Sequence, residues 1–115
     1  MPPAAPNALK LEAFIFDVYP FAERVFLLQG VREDGFAPVK NAEGAGKDSP
    51  DTARALVGRL HRRWVEAAGG KVEGDGGVEV CSLASYSGEG LQHLVAGRTF
   101  AAGSVIGGDA GVLLS

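Results

Sequence analysis

The stretch KLEAFIFDVYPFAERVFLLQGVREDGFAPVKN, residues 10–41, is the most apolar and aromatic part of the chain, and Lys10 and Lys40 bracket it. Leu11, Ala13 and Ile15 alternate with Glu12, Phe14 and Phe16, which predicts a strand, or an extended entry into a helix, over residues 10–17. Successive side chains of an extended chain point to opposite faces, so Phe14 and Phe16 share one face, and on residue type alone that face is core. Asp17 is placed to cap a short helix with Pro20 in its first turn, where a missing N–H does no harm. Phe21, Val25 and Phe26 then fall on one helical stripe, although residues 25–31 read equally well as a buried strand. Arg32, Glu33 and Asp34 followed by Gly35 end the apolar run. Pro38 holds Ala37 extended and so presents Lys40 at the end of a stiff, non-helical lead.

Beyond this stretch lies the polar loop NAEGAGKD, residues 41–48. Its Gly46-Lys47 invites comparison with a phosphate-binding P-loop, which requires a further glycine five positions earlier and Ser or Thr after the lysine. Asn41 and Asp48 stand in those places, so the motif fails and a solvated loop is expected. A helix follows: Ser49 is a good N-cap, Pro50 suits the first helical position and Asp51 favours the positive end of the dipole. Ala53, Leu56, Val57, Leu60, Trp64 and Ala67 form one apolar stripe at i, i+3, i+4 spacing, and Gly69-Gly70 supplies the stop. Arg54, Arg59, Arg62 and Arg63 lie off the stripe, as an anion site or, more simply, a solvated face. His61 borders the stripe, and with His93 the only other histidine no metal constellation of histidine and cysteine can be assembled. From residue 69 the chain is Gly-rich, with runs such as GVEVCSLASYS and RTFAAGSVI that predict short strands joined by tight turns and a hairpin at residues 74–77. Residues 87–90, Ser-Gly-Glu-Gly, form a turn whose glycines permit positive φ. Its Glu89 is a candidate catalytic carboxylate, with a structural or solvated role as the plainer reading.

Composition bounds the possibilities. A chain of 115 residues with 46% hydrophobic content is one domain or part of one, with a modest core. Its net charge of −3 gives no pull toward nucleic acid or an anionic membrane surface. A single cysteine, Cys81, excludes an internal disulfide framework and suits a reducing compartment. No apolar run approaches the ~20 residues of a membrane span, and the start, MPPAAP, lacks the features of a signal peptide. These features predict a soluble, cytoplasmic protein with no nucleic-acid or membrane partner, beginning with an extended arm over residues 1–9.

Taken in order, the blocks KLEAFIFDVYPFAERV, REDGFAPVKNAEG, GKDSPDTAR and SYSGEGL resemble the late part of the eukaryotic UDP-N-acetylhexosamine (UDP-N-acetylglucosamine) pyrophosphorylases, over about residues 6–100. Those enzymes are several times longer, and the resemblance covers only their C-terminal portion. It implies a reaction in which UTP and N-acetylglucosamine 1-phosphate give UDP-N-acetylglucosamine and pyrophosphate, with a divalent metal, usually magnesium, whose ligands lie outside this chain. Lys10, before the Leu-Glu-x-Phe block, matches the position that contacts the UTP phosphates. Lys40, in the Pro-x-Lys-Asn block, matches the lysine that contacts the phosphate of the sugar. Phe14 and Phe16, the aromatics of Phe-x-Phe-Asp, match the wall of the pocket for the N-acetylated sugar.

The departures are as specific. The family's Gly-rich nucleotide signature, Leu-x-x-Gly-x-Gly-Thr-Arg-Leu-Gly, is absent. Gly35 replaces an acidic residue, the segment between the helix and Cys81 is short, and similarity fades after Phe100. Because the resemblance starts directly after the proline-rich arm, it points to an upstream domain cut away or lost from the gene model, and to a chain inactive by itself. The expected fold is α/β, with residues 10–46 the end of a Rossmann-like nucleotidyltransferase domain and residues 47–115 a helix plus a small β-rich C-terminal domain. Rival readings are a non-catalytic module and a pyrophosphorylase for another sugar 1-phosphate, such as N-acetylgalactosamine or glucose. The apolar wall of Phe14 and Phe16 favours an N-acetylated sugar.

Overall fold

Helix α2 (Pro50–Ala67) forms as its sequence predicts, and the rest of the folded unit is assembled on it. In the computed structural model, which describes residues 3–107 and 113–114, Ser49 is fully buried and its N–H donates to Thr52 Oγ1 at 2.9 Å. With Pro50 at the first helical position, this reciprocal cap fixes where the helix starts. Gly69, at φ 87°, ends it. Its N–H donates to Glu66 O at 3.1 Å and the Gly70 N–H to Val65 O at 2.9 Å, the Schellman pattern.

The buried face of α2 differs from the expected stripe. Val65 and Ala68 are buried, His61 and Trp64 are partly buried, while Val57 and Ala67 are exposed. The helix has two neighbours on different sides, so its apolar residues do not form a single stripe. Leu56 and Leu60 face the short helix α1 (Arg32–Gly35), while Gly58, His61, Val65 and Ala68 face the strands.

Most of those strands stack in parallel rather than fold back on one another. After α2 come β1 (Lys71–Glu73), β2 (Glu79–Val80), helix α3 (Gln92–Val95), β3 (Thr99–Ala101), β4 (Val105–Ile106) and β5 (Leu113–Leu114). β1 pairs in parallel with β3, β2 pairs in parallel with β4, and β5 joins β4 antiparallel. Residues 74–77 are therefore not a hairpin turn, because β1 and β2 do not pair. They form a corner between two strands of one coil, and the next coil lies directly upon it. Ala102 N–H donates to Glu73 O at 2.9 Å and Gly103 N–H to Gly77 O at 2.8 Å, continuing the ladder around the corner. Facing pairs such as Val72 with Phe100 and Val80 with Ile106 put apolar side chains inward, where Leu91 and Val95 close the core with Val65.

Helix α2 covers the lower edge of this stack. The Arg62 guanidinium donates to the carbonyls of Val72 (3.0 Å), Gly74 (2.6 Å) and Gly76 (3.0 Å), and its Nε to Glu66 at 2.8 Å. Arg62 is thus not part of a solvated face. The Val78 N–H donates to the carbonyl of Gly58 at 3.3 Å and the Val80 N–H to His61 Nδ1 at 3.1 Å. Accepting through Nδ1 requires an unprotonated ring. Burial lowers the histidine's pKa in the same direction, against the opposing pull of Glu79.

Upstream of α2 the picture changes. Phe14 is extended and leads into a 3-10 helix, Ile15–Phe21, so the extended entry is formed and no strand is. Asp17 is the third helical residue rather than the cap, and Pro20 lies inside the helix, not in its first turn. The helix ends at Phe21, so Val25 and Phe26 do not continue its stripe, and residues 22–31 hold neither helix nor strand. Among the described residues none before 49 belongs to the buried core, and the radius of gyration is 19.6 Å, against about 13 Å for a compact chain of this size. The architecture has mixed α/β content, and no helix among the described residues is long and apolar enough to cross a membrane.

The contact of Gly58 with Gly77 sets how closely α2 can approach the corner. A Cβ on Gly77 would lie 2.3 Å from the carbonyl carbon of Gly58 and 2.5 Å from its Cα. Gly77→Ala is expected to lower stability in urea denaturation by at least about 1–3 kcal/mol, because backbone must move. At Gly35 an added Cβ meets nothing within 4 Å, and Gly35→Ala should stay within about 0.5 kcal/mol of the parent. Equal effects of the two changes would contradict the close approach.

Candidate functional site

Phe14 is set at the mouth of the 3-10 helix by a reciprocal pair of hydrogen bonds: its N–H donates to Asp17 Oδ2 and its carbonyl accepts from the Asp17 N–H, both at 3.0 Å. Phe14 and Phe16 then stack, with ring centroids 5.0 Å apart and planes within 8°. They share a face as expected, but that face is not core: the two residues are 49% and 53% exposed. A stacked pair with an open flank is a flat apolar wall. Lys10, on the lead into this wall, is exposed and pairs with Glu12 at 2.8 Å. An exposed pair of that kind contributes about 0.2–1 kcal/mol at most, so the ammonium is easily drawn to a stronger anion.

Lys40 sits elsewhere, on a loop anchored to the start of α2. The N–H groups of Lys40 and Asn41 both donate to the carbonyl of Asp48, at 2.6 and 2.9 Å, and Asn41 Nδ2 donates to Lys47 O at 2.8 Å. Asp48 has φ 48°, a left-handed conformation that Asp tolerates better than most residues. Across the loop, Gly44 N–H donates to Asp51 Oδ1 at 3.1 Å and Glu43 pairs with Arg54. Hydrogen bonds from the Ser49 hydroxyl and the Gly44 N–H lower the pKa of Asp51. Loop 41–48 is therefore not simply solvated. It is a closed turn, held by Asn41, by the Glu43–Arg54 pair and by Asp51, whose sequence reading went no further than the helix dipole. Among the described residues no ion pair or hydrogen bond joins Lys40 to Lys10, Phe14 or Phe16.

Other candidates acquire roles in the fold. Arg54 and Arg63 pair with Glu43 and Asp34, and Arg62 covers the strand edge, so the arginines do not converge on a free anion site. A groove of about 840 Å³ between the first half of α2 and β2 is lined by Arg54, Val57, Gly58, His61, Glu79 and Cys81 among others, and includes none of the four sequence candidates. Glu89 accepts hydrogen bonds from the N–H groups of Tyr86 (3.0 Å) and Ser87 (2.7 Å) and from the hydroxyls of Ser85 (2.9 Å) and Ser87 (3.0 Å). Gly88, at φ 97°, lets this loop close on Trp64, whose Cγ would lie 2.7 Å from an added Cβ. SYSGEGL is thus a loop knotted by its own carboxylate, and all of Glu89's hydrogen bonds are spent within it. No group of three or more His, Cys, Asp or Glu side chains converges among the described residues.

No family model matches the chain. Among curated proteins it is 53% identical over 97 residues to UDP-N-acetylglucosamine diphosphorylase 2 of Arabidopsis thaliana, covering 80% of this chain and 19% of that protein. It is 39% identical over 116 residues to UDP-N-acetylhexosamine pyrophosphorylase-like protein 1 of Homo sapiens, covering 85% and 23% respectively. It is 40% identical over 93 residues to the UDP-N-acetylglucosamine pyrophosphorylase of Saccharomyces cerevisiae, covering 79% and 20%. By name these are a diphosphorylase, a pyrophosphorylase-like protein and a pyrophosphorylase. Over most of its length the chain is similar to one segment of each of these proteins, and it spans about a fifth of their length.

The Glu89 loop yields a pH prediction. Backbone N–H donors, led by that of Ser87, lower its carboxyl from 4.5 to about 2. A carboxyl lowered on folding contributes stability that is present above its unfolded value and lost as pH falls toward the folded one. The melting temperature should therefore decline between about pH 4.5 and 2, and Glu89→Gln should flatten that decline while lowering stability at pH 7. A Gln variant with an unchanged acid profile would show that the loop does not depend on the charge.

Proposed function

We propose that this chain is the C-terminal part of a UDP-N-acetylglucosamine pyrophosphorylase and contributes two phosphate-binding lysines and a sugar-binding wall to an active site completed by the rest of the enzyme. The observation that carries the proposal is the 53% identity, across four-fifths of the chain, to a protein named for that activity. In this reading residues 10–46 form the end of a Rossmann-like nucleotidyltransferase domain. Residues 47–115 form the helix and a small β-rich domain that hold it in place. The free thiol of Cys81 suits a reducing, cytoplasmic setting.

In the reaction an oxygen of N-acetylglucosamine 1-phosphate attacks the α-phosphorus of UTP in line, and pyrophosphate departs. Two polyanions must meet, so catalysis rests on positioning and on neutralising charge. Lys10 supplies its ammonium to the UTP phosphates, exchanging its weak partner Glu12 for a stronger anion. Lys40 supplies the second ammonium, to the sugar phosphate. Its backbone is fixed through Asp48 to the start of α2, which limits the freedom lost on binding. Phe14 and Phe16 complement the acetyl methyl through their stacked, half-exposed rings. Magnesium is assigned no ligand in this chain, and its charge would act on the phosphates from the remainder of the site.

The 115-residue chain alone should release no pyrophosphate from the two substrates. Joined to the part of the Arabidopsis relative that it does not match, it should be active, and Lys40→Ala should then lower kcat/KM at least about tenfold, since a charge-assisted contact contributes on the order of 1.5–3 kcal/mol. Lys47→Ala, on the same anchored loop, should be nearly silent. Intact catalysis in Lys40→Ala, or equal damage from Lys47→Ala, would contradict the assignment of Lys40.

A further inference from the structure

Among the described residues, two hydrogen bonds tie the edge of the β2 strand, residues 78–80, to α2. The Val78 N–H donates to Gly58 O at 3.3 Å and the Val80 N–H to His61 Nδ1 at 3.1 Å. Of the two acceptors only His61 can take up a proton. A backbone N–H can only donate, so this contact fixes the ring as neutral, with its own proton on Nε2. The ring is partly buried and tilted over Trp64, with centroids 4.7 Å apart. It also forms part of the wall of the groove of about 840 Å³, which gives protons from solvent a path to it.

We propose that His61 is an acid-released latch on β2: the neutral ring holds the Val80 N–H, and a proton arriving at Nδ1 turns the acceptor into a donor and lets that N–H go. Two N–H groups cannot share one contact, so the Val80 amide is left without its partner. The charged groups around the ring decide where it goes next. On the β2 side, Glu79 attracts a charged ring and the Val78 carbonyl accepts from one, while Cys81 lines the same groove. On α2, Arg54 is paired with Glu43, and Arg62 is occupied by the carbonyls of Val72, Gly74 and Gly76. Glu89, in the loop that closes on Trp64, is held by its own hydrogen bonds, and β4 brings no titratable group. The imidazolium therefore has Glu79, the Val78 carbonyl and the Trp64 face to hold it. Arg62 and the core residues Val65 and Ala68 meanwhile keep the rest of α2 on the stack, so the release is local to β2. Its direction follows from burial of the ring, which lowers its pKa below the ordinary 6.5 against the opposing pulls of Glu79 and the Val78 carbonyl. A group lowered on folding contributes stability above its unfolded pKa and loses it as pH falls through the folded one. The latch is thus closed above pH 6.5 and opens on acidification below it. The inference is independent of the catalytic reading.

The test is NMR-detected hydrogen exchange on the full 115-residue chain carrying His93→Gln, which leaves His61 as the only histidine. The range runs from about pH 8 to about pH 4.5, above that in which Glu89 loses its charge. The His61 ring resonances should titrate below pH 6.5, and the protection of the Val80 amide, corrected for intrinsic exchange, should fall at least about tenfold with the same midpoint. The amides of Lys71 and Ala102, bonded to Arg98 O and Glu73 O within the stack, should change less than about twofold over the same range. His61→Asn, which offers an oxygen acceptor that does not titrate, should abolish the pH dependence at Val80. Protection of Val80 that is unchanged while His61 titrates, or a ring that takes up no proton over the range, would overturn the inference. So would a pH response that survives in His61→Asn, or an equal loss at Lys71 and Ala102, which would indicate unfolding of the unit instead of a latch. Should His61→Asn fail to fold, the comparison of Val80 with Lys71 and Ala102 in the parent decides by itself.

Discussion

Parallel strands at the edge of a stack present backbone groups that only another layer or a substitute can satisfy, and here Arg62 is that substitute. Its guanidinium holds three carbonyls of the lower coil, of Val72, Gly74 and Gly76, while Gly58 and His61 accept from the amides of Val78 and Val80. Helix α2 thus takes the place of a missing coil. The substitution is possible because Gly58 and Gly77 lack side chains at the crossing, so that helix and corner approach within backbone contact. Among the described residues the buried apolar cluster holds Ala68 and eight larger side chains, at about 1.5–3 kcal/mol for each of the eight, so the core offers limited reserve against chain entropy. The edge contacts consequently weigh heavily in this small unit.

The same helix connects the fold to the candidate chemistry. Its N-terminal turn anchors the loop that ends at Lys40, through Asp51 and Arg54, and its middle anchors α1 through Arg63 and Asp34. Lys40 is therefore located by a rigid element, whereas Lys10, Phe14 and Phe16 lie on a segment ordered only by local contacts. In the proposed reading this division suits a C-terminal part whose folded unit positions one phosphate contact and whose projecting segment completes a site on another body.

Much of α2 was legible in the sequence, because caps are local: Ser49, Pro50 and the Gly69-Gly70 pair carry their own geometry. Its buried face was not legible. Periodicity assigns the stripe to Ala53, Leu56, Val57, Leu60, Trp64 and Ala67, of which Val57 and Ala67 are exposed, because which side of a helix is covered depends on where neighbours lie, and here there are two. The corner at residues 74–77 was mistaken for a hairpin because glycine-rich turns look alike in sequence whether the following strand returns or stacks. Arg62 looked like a surface charge, since the carbonyls it holds are distant in sequence. For the candidate site, Phe14 and Phe16 were rightly placed on one face, and their exposure was the surprise, as residue type alone favoured burial. The anchoring of loop 41–48 had a partial signal in Asp51 at the helix start. Residues 25–31 read as helix or strand in the sequence, and the structure forms neither there.

The stack depends on α2 acting as its edge layer. Native-state hydrogen exchange on Arg62→Met, which keeps much of the apolar stem and removes the donors, measures this directly. The amides of Glu79, Cys81 and Gly103, which bond within the stack rather than to Arg62, should lose protection together with those of α2, by at least about 1.5 kcal/mol. Loosening confined to α2, with the stack amides keeping their full protection, would contradict it.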